Sequence, residues 1–402
     1  PSMTTPMIQP ETPSPESQVI TSTKPPLWRD VRVLQWAFQL VVLAVTFLIL
    51  AWLYNNYRVN SEEQNIPTDL GFLDNPASFT IPGNPMSQNA PVRDAFVQGI
   101  LNTLRVSLVG IVLATILGTL IGIARLSKNW VLNKMAAAYV EAVRNIPLYI
   151  FLLYGNLVLV LGIFPRIEDA WAPLGLAVIS VRGLAVPWYE DGSAAGLILL
   201  LVVALAAGWA VSKWRHSVAD RTGALPRSGL WSGLVILAIL VIGFLALGYS
   251  VTTPSVDGRQ SVGGIRIDPS FFALLFALVV YTASHIAEIV RGSIQAVPKG
   301  QGEAASALAL SGFQRMWYIV LPQAFRIAIP PLGNQYLNLI KNSSLGAAIG
   351  YAELTLVAST TVGNGSPAVP AFALTMFIYL IISLVMSFLV NIANRRLSLE
   401  SR

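Results

Sequence analysis

The sequence predicts an all-α integral membrane protein with about eight spanning helices, and three observations carry that prediction. Of the 402 residues, 54% are hydrophobic and only 11% charged, and the mean hydropathy is +0.62. Soluble domains carry about a quarter of their residues as charges. Apolar runs of about 20 residues recur along the chain, and at 1.5 Å per residue each covers a hydrocarbon core of roughly 30 Å. Lys and Arg, finally, gather in alternate connecting loops. Cysteine is absent, which excludes a disulfide framework and any thiolate metal site.

In chain order, residues 1–27 are rich in Pro, Ser, Thr and Gln and read as a disordered tail. The first span lies within 28–54. Residues 55–95 form a polar connector holding Glu62, Glu63, Asp69, Asp74 and Asp94. The second span, 96–124, carries Gly110, Ala114, Gly118 and Gly122 at every fourth position, the spacing that lets membrane helices approach closely. Arg125, Lys128, Lys134 and Arg144 bracket a short amphipathic segment, and the third span lies within 139–164. Between 165 and 270, apolar runs at 194–211 and 229–249 alternate with polar, Gly-rich loops. Further spans follow at 271–290, 330–349 and 371–392, and residues 395–402 form the C-terminus.

Alternation through eight spans places both termini on one side, together with the loops around 125–144, 213–227 and 291–326. Eighteen of the 26 Lys and Arg fall on that side and six on the other (Arg58, Arg93, Arg166, Arg182, Arg259, Arg266). The bias follows the positive-inside rule, so this side is expected to be cytoplasmic. It accounts for the net charge of +6 without a nucleic-acid partner.

Between two apolar segments, Ala296–Asn334 is a helical island of mixed polarity. Pro298, Lys299 and Gly300 break the preceding helix, and Glu303-Ala304-Ala305 opens a new one with its carboxylate near the positive end of the helix dipole. Alanines make that helix thin and of high propensity. Ser311-Gly312 interrupts it and Leu321-Pro322 is expected to end it. It reads as a docking element for another protein's groove, or as an interfacial amphipathic helix without a partner.

Glu303-Ala304-Ala305, with Ile319-Val320-Leu321-Pro322 at the matching distance, resembles the "EAA" coupling loop of importer permeases of the ATP-binding cassette (ABC) class. Ala309 stands where that pattern has Gly, a departure expected to limit the local bend. Gly99–Leu104, Ile121–Arg125, Tyr139–Leu148, Ala287–Gly292, Pro330–Gln335 and Lys341–Leu345 resemble the polar amino acid permeases of the histidine/glutamate/glutamine/arginine group. The interruption at 165–270 and the added first span look like the larger permease subunit of general L-amino-acid importers.

The resemblance implies a type I importer core in two parts, 96–164 and 271–394, with the coupling loop at 296–326. It also implies a heterodimer with a second permease, two ATPase subunits, a periplasmic amino-acid-binding protein and the bacterial inner membrane. Coupling to the ATPase falls on Glu303, Ala304, Ala305, Ala309, Gly312, Leu321 and Pro322. No cofactor is expected in this chain, and ATP and magnesium belong to the partner ATPase. This fits the sequence, which has no Gly-rich loop ending in Gly-Lys-Ser/Thr and no nucleophile elbow or His-Glu-x-x-His helix.

Charges at membrane depth cost roughly 2.5–3.5 kcal/mol each, so those retained face a cavity or a partner. Arg105, Glu288 and Lys341 are the charges placed within spans. An α-amino acid offers a carboxylate and an ammonium, which makes Arg105 and Glu288 the leading substrate candidates, with Asn102 and Thr103 beside Arg105. The alternatives are that Arg105 snorkels to headgroups and that Glu288 pairs with Arg291. His285 shares a helix face with Glu288, but two ligands underfill a metal site, so no metal is expected. Asn338, Lys341, Asn342 and Ser343 continue a polar stripe that lines either a helix interface or the path. The rival class, an ion-gradient-driven secondary amino acid transporter, calls for paired inverted repeats with broken helices, and the sequence shows no convincing pair.

Overall fold

The computed structural model describes residues 31–81, 86–189, 194–222 and 228–397. The tail at 1–27 and the last residues of the C-terminus lie outside them. The chain divides into two units, residues 1–68 and 69–402. In the first, α1 (Val31–Glu63) is one long helix. Its apolar side chains, Trp36, Phe38, Phe47 and Trp52 among them, are exposed along its length, which suits a helix whose solvent is lipid.

The second unit begins with residues 69–81, which tuck Phe72, Ala77 and Ile81 against Val92, Ala95 and Phe96. The next helix, α2 (Val92–Ala124), crosses the unit. After it, α3 (Trp130–Arg144) is amphipathic and capped by Asn129, whose side chain accepts from Leu132 N. Pro147 then starts α4 (Leu148–Gly155), which widens into π-helical turns over Asn156–Ile163. The pair bends by 102° at Asn145–Pro147, because the residue before a proline is pushed out of helical geometry. The straight part of the third span, from Leu148, lies within the expected 139–164.

Among the described residues of 165–270 are two long helices and seven short strands. The loops that sequence alone reads only as polar are paired to each other across the helices. Strands β1 (Val178–Ser180), β2 (Gly183–Val186) and β3 (Trp188–Tyr189) precede α5 (Ala194–Thr222). After α6 (Ser228–Ala246) come β4 (Val251–Thr252), β5 (Ser255–Asp257), β6 (Gln260–Val262) and β7 (Ile265–Ile267). The ladders β1–β2–β7, β3–β4 and β5–β6 are all antiparallel. The β2–β7 and β3–β4 pairs therefore join the residues on the two flanks of the α5–α6 hairpin into a β-base. Gly183 (φ +121°) and Gly264 (φ +65°) are required there. A Cβ would sit 2.3 Å from Ile267 O at the first and 2.2 Å from Val186 O at the second.

The chain then runs through α7 (Pro269–Gln295), capped by Asp268, and α8 (Lys299–Ala307). Beyond α8, α9 (Gly312–Arg315) passes through π turns at Met316–Val320 into α10 (Leu321–Asn342). Leu321-Pro322 therefore starts a helix instead of ending one. Proline fits the first turn, whose N–H groups have no intrahelical acceptor, and this span starts well before Pro330. A 3-10 stretch (Ser343–Ile349) leads to α11 (Leu354–Gly363), bent 43° from the preceding helix, and α12 (Ala368–Leu397) completes the described chain. Among the described residues six helices are long and apolar enough to span, and the two bent pairs bring the number to eight.

The core lies between α2, α4, α7 and α10, where Val106, Leu152, Leu274, Ile286 and Leu339 are fully buried. The parallel α2–α7 pair is its tightest contact. A Cβ on Gly118 would lie 2.6 Å from Ile286 Cβ and 2.8 Å from Ala283 O, whereas one on Gly155 would meet nothing within 4 Å. Gly118→Ala is expected to lower stability by about 1–3 kcal/mol, the usual cost of overpacking. Gly155→Ala is expected to leave it unchanged or slightly raised, which thermal denaturation of the two variants in detergent would check.

Candidate functional site

Two cavities lie at opposite ends of α7. Ser270 lines one and Glu288 the other, about 27 Å apart along the helix at 1.5 Å per residue. The first cavity, about 530 Å³ in volume, is walled by Gln98, Asn102, Arg105 and Val109 of α2 and by Ser270, Phe271 and Leu275 of α7. Gly350, Tyr351 and Ala352 supply a corner, and Val186, Trp188, Ile265, Arg266 and Ile267 come from the β-base. Its charges are Arg105, Arg266 and Asp268. Asp268 Oδ1 accepts from Ser270 N at 2.8 Å and from Ser270 Oγ; its other carboxylate oxygen takes part in neither bond.

The corner is bonded to α2 from both directions. Asn102 Nδ2 donates to Ala352 O (2.8 Å), Tyr351 Oη donates to Asn102 O (3.0 Å), and Leu354 N donates to Thr103 Oγ1 (3.1 Å). Thr103 Oγ1 itself donates to Gly99 O (2.9 Å). Thr103 is therefore committed to joining α2 and α11, and Asn102 shares its time between that joint and the cavity wall. Gly350 turns the chain with φ +78°, a conformation open to Gly without a Cβ penalty.

The second cavity, about 450 Å³, is lined by Arg125, Val140, Glu141, Arg144, Asn145, His285 and Glu288. Glu288 accepts from Arg125 with one oxygen and from Arg291 with the other, so it ties the ends of α2 and α7. Arg105 and Glu288 do not meet as one zwitterion site; they belong to separate cavities, and the anion that shares a cavity with Arg105 is Asp268. Sequence spacing could not bring Asp268 there, because its place depends on how the β-base sits beside α2. The His285 ring nitrogen Nδ1 lies 3.1 Å from Tyr281 O, a bond within its own helix.

The polar stripe on α10 lines neither cavity. Asn338 and Lys341 are exposed and Asn342 half-buried. Ser343 is buried and donates to Ile340 O (2.6 Å). Lys341 sits in the last turn of α10, where helix carbonyls favour a cation. Asn338 and Lys341 thus lie on a face that this chain leaves uncovered.

On α8, Glu303 and Ala304 are exposed while Ala305 is buried at 2% exposure. The end of α8 is a Schellman turn: Ala309 N donates to Ser306 O and Leu310 N to Ala305 O. Ala309 takes φ +55°. Alanine therefore does not limit the bend as expected. The two hydrogen bonds hold the left-handed conformation against a Cβ penalty of roughly 1–2 kcal/mol. Ser311 and Gln314 form a capping box that opens α9 at Gly312. Leu308, Phe313, Trp317 and Tyr318 are exposed beside it, and Phe313 stacks on Trp317 with centroids 6.1 Å apart.

The family described as "Binding-protein-dependent transport system inner membrane component" matches residues 110–399. The chain belongs to this permease family. Two curated relatives extend over nearly its whole length. The general L-amino acid transport system permease protein AapQ of Rhizobium johnstonii is 37% identical, over 91% of this chain and 92% of its own. The glutamate/glutamine/aspartate/asparagine transport system permease protein BztB of Rhodobacter capsulatus is 35% identical, over 93% of this chain and 96% of its own.

One residue of the permease escapes the sequence reading. Glu353 lies in the sequence between the apolar runs at 330–349 and 371–392, yet it is fully buried. It accepts from Thr355 N (2.9 Å), Leu356 N (2.9 Å) and Tyr379 Oη (2.6 Å), and so caps α11 and holds it to α12. The signal was present: Glu353 is the sole charge in the otherwise uncharged stretch 342–394, and a charge so placed is retained for a partner.

Proposed function

We propose that this permease is the larger membrane subunit of an ATP-driven importer of L-amino acids, polar, acidic or neutral, across the inner membrane. It pairs with a second permease, two ATPase subunits and a periplasmic amino-acid-binding protein, and both termini lie in the cytoplasm. The binding protein releases an amino acid to the membrane subunits. Closure of the ATPase dimer moves α8, and α7, which links α8 to the cavity holding Arg105 and Asp268, transmits that motion. A cation and an anion in one cavity suit the carboxylate and ammonium of an α-amino acid.

The observation that carries this reading is the position of α8. A thin Ala-rich helix with Glu303 exposed, beside uncovered Phe313 and Trp317, stands one helix away from a charged cavity. Uptake of labelled amino acids by cells expressing the whole system tests it. Vanadate, which blocks ABC-type ATP hydrolysis, is expected to stop uptake, and a protonophore is expected to leave it intact. The reverse pattern would identify a gradient-driven carrier.

A further inference from the structure

The strands flanking α5 and α6 are more than a closure for two extra spans, because they form a wall of the cavity that holds Arg105. Val186 ends β2 and Trp188 opens β3, while Ile265, Arg266 and Ile267 make up β7, and all five line the same space as Gln98, Asn102 and Tyr351. The pairing Ala185↔Arg266 and Val186↔Ile265 sets their register. Asp268, the single residue between β7 and α7, caps the helix, so the strand is tied to the core at the cavity edge.

Arg266 is the notable member of this wall. Its Nε and Nη2 donate to Arg182 O at 3.2 and 3.0 Å, which anchors the guanidinium to the β1–β2 turn. Nη1 takes part in neither bond. The cavity thus holds two cations, Arg105 and Arg266, against one anion, Asp268. The α-carboxylate and α-ammonium of an amino acid match one cation and the anion, and a cation is left over. A side chain ending in a carboxylate, or in a carboxamide oxygen, satisfies it; an alkyl side chain offers the guanidinium no acceptor.

We propose that Arg266 is a specificity-determining residue: the inserted β-base reads the far end of the substrate side chain and favours amino acids with a distal carboxylate, then those with a carboxamide. This rests on the reading that amino acids pass through this cavity. The binding protein adds its own selectivity, but a substitution in the permease leaves that contribution constant.

The test is uptake of labelled glutamate, glutamine and leucine by the complete system, for the wild type, Arg266→Gln and Arg266→Lys. A charge-assisted contact corresponds to about tenfold or more in discrimination. Arg266→Gln is expected to lower glutamate uptake, as kcat/KM, at least tenfold relative to leucine, with glutamine less affected, and Arg266→Lys is expected to recover most of the glutamate preference. Equal loss for all three substrates, unrecovered by lysine, would mean that Arg266 only braces the β-base and would overturn the inference. An unchanged ratio would overturn it too, as would a wild-type system that carries leucine alone. A wild-type system that takes up no amino acid defeats the underlying reading itself, so the two failures are distinct.

Discussion

Glu353→Ala is expected to be the most damaging single change in the membrane core. It strips the acceptor from Thr355 N, Leu356 N and Tyr379 Oη at a site with no exposed surface. Each buried donor left unpaired costs about 1–3 kcal/mol, so a loss of at least about 3 kcal/mol is expected. The start of α11 would loosen, and with it the Tyr351–Ala352 corner bonded to Asn102. Thermal unfolding of the purified complex in detergent would measure this. Glu353→Gln keeps the shape and one acceptor oxygen, so it is expected to fall between the wild type and alanine. If alanine unfolds at the wild-type temperature, the buried carboxylate does not hold this joint.

Glu303→Arg is expected to have the largest effect on transport with the smallest effect on folding. Glu303 is exposed on α8, next to the buried Ala305 that seats the helix. Reversal of a surface charge away from caps and networks usually changes stability by no more than about 0.5 kcal/mol. At a docking surface, placing like charges opposite each other costs several kcal/mol, which corresponds to a rate or affinity loss of 100-fold or more. The variant should therefore reach the membrane in normal amount, lose ATP-driven uptake and fail to retain the ATPase subunit on purification. Normal uptake by this variant would remove α8 from the coupling pathway.

These two residues differ in how far sequence could reach them. Glu303 stands in a local pattern, with Pro298 before it, alanines after it and Ser311-Gly312 beyond, so a helix through it follows from neighbouring residues, although α8 starts at Lys299, directly after Pro298, and not at Glu303. Glu353 lies in a stretch whose hydropathy suggests an outer loop between two spans. Its burial depends on Tyr379, which bonds its carboxylate, and on Thr103, which bonds the next residue, Leu354; both come from other helices. Arg105 was legible as a charge in an apolar helix, but its neighbours Asp268 and Arg266 were not. Nothing near 105 in sequence states that β7 lies across from it.

The apolar runs long enough to span, the small-residue spacing on α2 around Gly118 and the island of mixed polarity around Glu303 were legible in the chain by itself, because apolar length, small-residue spacing and helix punctuation act over a few turns; that α7 is the helix that meets Gly118 was not. Tertiary structure alone decided that Arg105 and Glu288 serve separate cavities, and that the loops of 165–270 pair into a β-base. Those outcomes rest on contacts between residues as far apart as Asn102 and Ala352, 250 positions in sequence. Such contacts are selected by packing and by the satisfaction of buried hydrogen bonds across the whole bundle, and no local pattern encodes them.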